Sequence, residues 1–477
     1  MKTYSSILAL LAAEQVLGGP VAANGKVSRE AVVESVINSP FLLPPRSYSI
    51  FKSRFANDKS VPQDGPHGGE PAKPATLAET IKQYGYLIAN LPGMIASGST
   101  SPGKTAAPKS LVPAVQKLSS AQGEFPEAKR VKIRYGPYRV PPQSEENLEA
   151  QFWKIKGMSN ALLWDAERPC EGNCMLLKAT SDLEYADGSP ANTSNGAWFH
   201  HTVLLNSGPS IKEPTCGEPY VESIMIVGNE RTDGGYALKG SHIKSGYKVN
   251  PKDSFILQTE LMNMEDTEKY VWQTITYEYL EGLQPDYKSG QTVYMTIGEA
   301  SNPSVTKCSK TAKNPFGPTN MTIDALPLSM KFSEHSKVWN SLIDGRILKT
   351  AGHMHDGGTS IEIVQNDKVI CDSVPKYSKD ASAGMPGMDA GMGGKGGHSH
   401  GGRKNKRQVK APGGYKNTDI EHIAGQNRCD YPDGIPLKKG DTMHIRANYD
   451  FNLHKGMINA DGNLDEVMGI VGVLVAY

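Results

Sequence analysis

The chain has 477 residues, which is long enough for two or three domains with separate hydrophobic cores. Charged residues make up 21% of it and nearly balance, for a net charge of +1, so the sequence carries no electrostatic footprint for nucleic acid. Its 49 glycines and 32 prolines favour many turns between short strands over a mainly helical protein.

Residues 1–23 have the pattern of a signal peptide. Lys2 gives a positive start, residues 7–13 form a short apolar stretch, and small residues cluster between Gly18 and Ala23. The alternative is a buried N-terminal helix. No later apolar run approaches the ~20 residues that a membrane helix needs. We therefore predict a secreted, extracellular protein without a transmembrane segment.

Residues 24–130 are rich in proline and glycine and too polar to bury a core, which predicts a leader or tether that is partly disordered. A short amphipathic segment lies near residues 77–95. The Lys129–Arg130 pair at the end of this region is a candidate dibasic processing site, although adjacent basic residues are common on any surface.

From Val131 onward the chain shows short alternating segments that are typical of half-buried strands, separated by turn sequences. We predict an all-β protein with two tandem jelly-roll or β-sandwich domains at residues 131–320 and 321–477. The segments that predict strands are residues 131–135, 198–205, 223–227, 255–261, 291–297, 360–364, 442–447 and 468–477.

An insert at residues 381–408 has no apolar periodicity and predicts a disordered loop. It carries thioether and imidazole groups that suit copper, namely Met385, Met388, Met392, His398 and His400. The alternative is a flexible glycine-rich loop in which these side chains are incidental.

The six cysteines are an even number and agree with export into an oxidising compartment. A local pairing scheme predicts Cys170–Cys174, Cys216–Cys308 and Cys371–Cys429, although the sequence alone allows 15 connectivities. Asn192 and Asn320 begin glycosylation sequons, which also occur by chance.

Three segments carry metal-binding side chains. His200 and His201 are adjacent, and adjacent strand residues point to opposite faces, so both can bind one ion only at a bulge or a strand end. His353 and His355 are two residues apart and project from the same face. With Met468 they would make a site soft enough for Cu(I) that also accepts Cu(II). Taken singly, the adjacent histidine pair is a weak signal. The HxH motif alone is compatible with a zinc site or a polar strand face, and Met468 alone is typical of a core position.

The HxH motif occurs in more than one family of metal-binding proteins. The spacing disfavours a cupin interpretation of the HxH motif. The next carboxylate, Glu362, lies seven residues after His355, whereas the cupin pattern has it about three or four residues after the second histidine. The order WFHHTVLLNSG, GHMHDGG and DEVMG instead resembles the copper type II ascorbate-dependent monooxygenases, the family of peptidylglycine α-hydroxylating monooxygenase and dopamine β-hydroxylase. The resemblance spans roughly residues 131–477 and rests on these short patches.

The resemblance implies two jelly-roll domains with one copper each across a solvent-filled cleft, and ascorbate as the reductant. His353, His355 and Met468 would be catalytic ligands of the oxygen-binding copper. His200 and His201 would bind the electron-transfer copper, whose third family histidine is replaced by Glu260. A carboxylate is a harder ligand that favours Cu(II) or Zn(II).

Two more positions depart from the family. Ala351 stands where a basic residue would bind a substrate carboxylate, and Gly472 stands where a tyrosine is expected, so a peptidylglycine substrate is not predicted. His242 could replace the missing imidazole, but it lies in a different segment and is predicted to be a surface residue. Three further histidines are predicted to lie around the second site or at the surface: His422, His444 and His454.

Two functions from different classes follow. The first is a secreted copper monooxygenase that hydroxylates an organic substrate of unknown identity. The second is a secreted protein that captures, stores or senses copper without catalysis, which the replacement at Glu260 favours. Neither the substrate nor the oligomeric state is predicted by the sequence.

Overall fold

The computed structural model describes residues 97–103, 106–147, 150, 156–192, 195–209, 211–212, 214–215, 222–231, 233–263, 265–297, 330–378, 420–456, 464 and 467–477. The signal peptide, the 77–95 segment, the 381–408 insert and the sequon at Asn320 lie outside these ranges. So do Cys216 and Cys308, and the disulfide between them stays a prediction.

Within these ranges the chain forms short strands and one 3-10 helix, Ser120–Gln122. No helix of the described residues has the length and apolar character to cross a membrane. The strands are β1 Val115–Leu118, β2 Lys129–Val140, β3 Met158–Ala166, β4 Cys174–Glu184, β5 Ala197–Asn206, β6 Glu222–Gly228, β7 Gly234–Gly235, β8 Ser245–Val249, β9 Phe255–Asn263, β10 Lys269–Glu281, β11 Lys288–Thr296, β12 Lys331–His335, β13 Trp339–Asn340, β14 Gly345–Met354, β15 Gly358–Gln365, β16 Lys368–Ser373, β17 Pro375–Ser378, β18 His422–Gln426, β19 Arg428–Leu437, β20 Thr442–Asp450 and β21 Gly469–Ala476.

The all-β prediction is confirmed, and each segment chosen for its alternation lies in a strand, extending beyond it by at most one residue at either end. β20 shows the physical basis most clearly, since its residues alternate between buried and partly exposed along its whole length. β1 and the start of β2 lie inside the region predicted to be a leader and pair with each other in register. Lys129 and Arg130 are thus ladder residues of β2.

A first hydrophobic core lies between a four-stranded sheet, ordered β3-β9-β5-β6, and strands β2, β10, β4 and β8 of a ten-stranded sheet. Its largest fully buried side chains include Tyr236, Tyr277 and Phe199. The four-stranded sheet ends at β6, which is therefore an edge strand beside the second half of the chain.

A second core lies between strands β11, β21, β14 and β19 of the ten-stranded sheet and a sheet ordered β12-β20-β15-β16. The C-terminal strand β21 is buried on both faces between β11 and β14, as its continuous apolar sequence predicts. The disulfide Cys371–Cys429 joins β16 to β19 across this core, and Cys170–Cys174 links the first residue of β4 to the loop before it. These two predicted pairings are confirmed.

One continuous sheet connects the two cores. β8 of the first core pairs in parallel with the start of β11, at Lys288 with Ser245 and Ser289 with Gly246. β11 then pairs antiparallel with β21, and its Val293 and Met295 are buried in the second core. The domain limits near residue 320 fall outside the described residues and stay a prediction.

Candidate metal centre

β5 contains a bulge at its histidine pair. In the ladder with β9, Phe199 pairs with Leu261 and His201 with Glu260, so His200 is the extra residue of a register shift. A bulge removes the rule that adjacent strand residues point to opposite faces. The two imidazoles accordingly lie side by side, with ring centroids 4.1 Å apart. The condition that the sequence sets for a shared ion is met here.

Glu260 binds both of these rings. Its Oε2 lies 3.2 Å from Nδ1 of His200 and 3.2 Å from Nδ1 of His201. Burial would raise the pKa of the Glu260 carboxyl, but the hydrogen bonds from the two histidines outweigh burial and hold this pKa well below its usual range. Burial, together with the neighbouring His201, lowers the pKa of His200 to about 4. An ionised carboxylate that accepts from Nδ1 makes Nε2 the nitrogen that would face a metal.

The second histidine pair lies at the end of β14. His353 lies within β14, and His355 is the first residue after the strand ends. The backbone N–H of His355 donates to the carbonyl of Met468 at 3.1 Å. The Nδ1 of His353 lies 3.2 Å from Oε2 of Glu230, a side chain that is 5% exposed. Burial would raise the pKa of Glu230, but the imidazole of His353 overcomes this and lowers the pKa to about 2.

The two histidine pairs meet in a single cluster. The rings of His201 and His355 are stacked with centroids 5.7 Å apart, and those of His201 and His353 are 5.4 Å apart. One nitrogen each from His200, His201 and His355 can be chosen so that all three lie within 4.8 Å of one another. The two pairs come from opposite cores, whereas the family resemblance implies that they bind separate coppers across a solvent-filled cleft.

The donor set fits a copper ion. Nε2 of His353 is buried and has no hydrogen-bond partner among the described residues. A buried polar atom without a partner costs about 1–3 kcal/mol, which points to a ligand that would complete it. Imidazole nitrogens are good ligands for copper as well as for zinc, iron and nickel. The unpartnered Nε2 makes His353 a candidate ligand beside the three clustered histidines.

Met468 lies beside the cluster through its backbone. Its side chain is buried, and its carbonyl accepts the N–H of His355 and, at 2.6 Å, the hydroxyl of Tyr449. These contacts fix the chain next to the second histidine pair. Ligation by the Met468 sulfur stays a prediction, as does direct ligation by Glu260.

Two features near the site were not expected from the sequence. Glu230 follows a strand and a turn, and no local pattern marks it as the partner of His353, more than a hundred residues away. Trp198 separates His200 from His422, with ring centroids at 6.4 Å and 5.5 Å respectively. His422 in turn bonds through Nδ1 to Asp356 at 2.6 Å. The Trp198 ring therefore lies between the His422–Asp356 pair and the cluster.

The other histidines that the structure describes are not part of the cluster. The His242 side chain is 82% exposed and lies 3.5 Å from a carboxylate oxygen of Asp433. The His454 ring stacks on Tyr377 with a centroid distance of 3.8 Å, and His444 neighbours His335 on the sheet that contains β12 and β20.

Comparison with known proteins gives two fungal relatives. The chain is 26% identical over 345 residues to the probable copper-dependent oxygenase M1 of Phoma sp. (strain ATCC 20986 / MF5453), covering 72% of each chain. It is 26% identical over 292 residues to the probable copper-dependent oxygenase clz3 of Cochliobolus lunatus, covering 61% of this chain and 76% of that one. No protein-family model matches the chain.

Among solved structures, the chain aligns with PNGase F, a glycosylasparaginase from Flavobacterium meningosepticum. That alignment covers 72% of this chain and 95% of that chain, at 9% identity and a TM-score of 0.29. A likeness at this level carries no argument about function. The sequence relatives support a copper-dependent oxygenase family for this chain, and the histidine cluster agrees with a metal requirement.

Proposed function

We propose that this protein is a copper-dependent oxygenase whose metal centre is shared by both halves of the chain. The observation that carries the proposal is the cluster of His200, His201 and His355, with the ring of His353 beside it. The buried, unpartnered Nε2 of His353 and the two fungal relatives support the choice of a metal and of copper.

Bound copper would supply one-electron chemistry with O2, which organic side chains cannot provide. The protein's own contribution is to hold the imidazoles close together and to orient them. Glu260 accepts hydrogen bonds from the Nδ1 atoms of His200 and His201, and Glu230 accepts from that of His353. Such carboxylates fix the tautomer and the ring orientation and raise the basicity of the ligating nitrogen.

The finer part of the proposal is a secreted monooxygenase that hydroxylates a C–H bond of an organic substrate with ascorbate as the reductant. The motifs shared with the ascorbate-dependent family support the reaction type. The signal-peptide pattern and the two disulfides support secretion, because disulfides persist in oxidising compartments.

The second candidate is a copper-binding protein without turnover. Four imidazoles satisfy a four-coordinate ion, whereas a catalytic site keeps a position open for a reactant. In this candidate His353, whose Nε2 is buried without a hydrogen-bond partner among the described residues, adds the fourth imidazole to His200, His201 and His355. Consumption of O2 separates the two candidates.

The test is copper content per chain after copper loading and dialysis, followed by O2 uptake with ascorbate. A shared centre predicts that His201→Ala and His353→Ala each remove the same copper, although they lie in different halves. His242→Ala is the matched control, because its side chain is 82% exposed. Two coppers, with one lost in each variant, would show separate sites and contradict the shared centre. Tight copper without ascorbate-dependent O2 uptake would identify the binding protein.

A further inference from the structure

A cavity lies beside the metal centre, between the edge strand β6 and the faces of β14, β21 and β11 that point away from the second core. Two of its lining residues, His201 and His353, also belong to the histidine cluster. A molecule in this cavity would therefore lie next to the ion that those histidines hold. Its other lining residues are Ile226, Val227, Gly228, Glu230, Asp233, Gly234, Gly235, Thr292, Tyr294, Lys349, Ala351, Gly352, Ile470, Gly472 and Leu474.

The pleat of β11 and β21 determines which side chains form the wall. Val293 and Val473 point into the second core, whereas their neighbours Tyr294, Gly472 and Leu474 line the cavity. Alternation along a strand accounts for this division. The wall is thus the reverse side of a buried sheet, and its position is set by the packing of the core behind it.

Glycines leave the space open. A Cβ at Gly472 would lie 3.1 Å from Cγ2 of Thr292 and 3.3 Å from Cε1 of Tyr294. A Cβ at Gly228 would lie 2.8 Å from Oε2 of Glu230 and 3.3 Å from Cε1 of His353. Side chains at these two positions would crowd the wall or displace the partner of His353.

Every charged side chain of the lining is paired within the protein. Glu230 binds His353, and Asp233 lies 2.8 Å from Nζ of Lys349. Asp233 also lies 3.2 Å from Lys178 and 3.2 Å from Arg428. Lys178 also forms an ion pair with Glu124, and Arg428 forms one with Asp430. The group therefore holds three cations and three carboxylates and has no surplus charge.

We propose that this cavity binds an uncharged, mainly apolar group of the organic substrate. A carboxylate or an ammonium group would lose its hydration there without finding an unpaired counter-ion, which is costly in a partly enclosed site. Ile226, Ile470 and Leu474 provide apolar contact for a hydrocarbon or an aromatic ring. The role as substrate site rests on the proposed oxygenase function, but the binding preference does not.

The experiment measures binding of three probes that share one ring and differ in charge: benzyl alcohol, benzoate and benzylamine. Copper-free protein is used, with ligand-observed NMR competition as the readout. We expect benzyl alcohol to bind at least about tenfold more tightly than either charged probe, which corresponds to a modest desolvation cost. Equal or tighter binding of benzoate or benzylamine, or no binding of benzyl alcohol, would overturn the proposal.

Two substitutions at one position locate the binding. Ala351→Phe should fill the cavity and weaken benzyl alcohol at least about tenfold, whereas Ala351→Arg should shift the preference towards benzoate. Leu342→Phe is the control, since Leu342 is 47% exposed in the same half of the chain. Unchanged binding in Ala351→Phe would place the probes elsewhere and overturn the proposal. The probe experiment uses copper-free protein, so its result does not depend on whether the copper test succeeds. Failure of the probe experiment likewise leaves the proposed copper centre unaffected.

Discussion

Two largely buried carboxylates hold three of the four imidazoles at the site. Glu260 binds two rings through a single oxygen, and Glu230 binds the third. Each contact uses Nδ1 of the ring, so the opposite nitrogen is directed away from the carboxylate. The orientation of the histidines is therefore set before any metal arrives, and it depends on residues that need not touch the metal.

Glu230→Gln tests this orientation at the scale of one residue. The substitution keeps the volume and removes the charge that favours an Nδ1–H tautomer of His353, so we expect copper affinity to fall by about 10–100-fold. A competition titration against a chelator of known affinity measures the change. Glu362→Gln is the control, because Glu362 pairs with Arg446 on a different sheet. Equal affinities in the two variants would show that Glu230 does not position His353.

At this scale the sequence identified the histidines but not the residues that orient them. His353 and His355 follow from a spacing of two in a strand, which is a local rule. Glu230 has no local pattern, because its role depends on a partner in the other half of the chain. Glu260 was noticed only because it replaces an imidazole, and the structure adds that it binds both neighbouring rings.

The strands themselves were predictable because each depends on local alternation. β5 illustrates the limit, since its apolar pattern predicts the strand over residues 198–205 but not the bulge at His200. A bulge is decided by register against the neighbouring strand, and that register is not encoded within β5 alone. The sequence shows that a bulge or a strand end is needed for two adjacent histidines to share an ion. It does not predict that the bulge forms at His200.

The two disulfides of the described residues give a prediction at the scale of elements. Cys371–Cys429 closes a span of 58 residues and joins two sheets, whereas Cys170–Cys174 closes a span of only 4. In the chain-entropy description, removing the long link costs about 4 kcal/mol and the short one about 2 kcal/mol. Paired Cys→Ala variants and thermal unfolding measure the difference. An equal fall in Tm for both would show that loop length does not decide their contributions.

At the scale of the whole molecule, a partly buried charge cluster around Asp233 joins the two halves of the chain. Asp233 lies between β6 and β7, and it pairs with Lys349 on β14 and Arg428 on β19. Its side chain is 13% exposed, and that of Lys349 is 8% exposed. Burial would raise the pKa of Asp233, but Lys349 and Lys178 outweigh it and hold this pKa far below its ordinary value.

Asp233→Asn should destabilise the protein by about 3 kcal/mol at neutral pH, because it leaves buried cations without their shared carboxylate. The folded-state pKa of Asp233 is depressed, so its stabilisation is present above the unfolded value, near pH 4, and is lost as the pH falls. The variant should therefore lose less stability than the wild type between pH 5 and pH 3. Urea unfolding at both pH values measures this.

Asp286→Asn is the control for this experiment. Asp286 pairs with Lys244 at the surface, where both side chains are 60% exposed, and exposed pairs contribute little. If the two variants have the same urea midpoint, the Asp233 cluster does not stabilise the contact between the halves.

The convergence of the two histidine pairs was beyond sequence reasoning for a physical reason. His201 and His353 are 152 positions apart in the chain, and their contact depends on how two cores pack against one shared sheet. Periodicity reports which face of a strand is buried, but not which strand of another sheet lies opposite. The individual histidines were therefore predictable as candidate ligands, whereas the meeting of the two pairs was not.

The position of β11 has a consequence for how this protein can be divided. β11 precedes the residues at which a sequence-based boundary would be placed, yet its Val293 and Met295 are 0% and 1% exposed within the second core. A gene fragment starting at residue 321 would encode the second half without the strand that lies beside β21, and would leave that strand with an open edge. The two halves are thus not exchangeable cassettes: recombination that shuffles them must cut before Lys288, within the first half's own sequence.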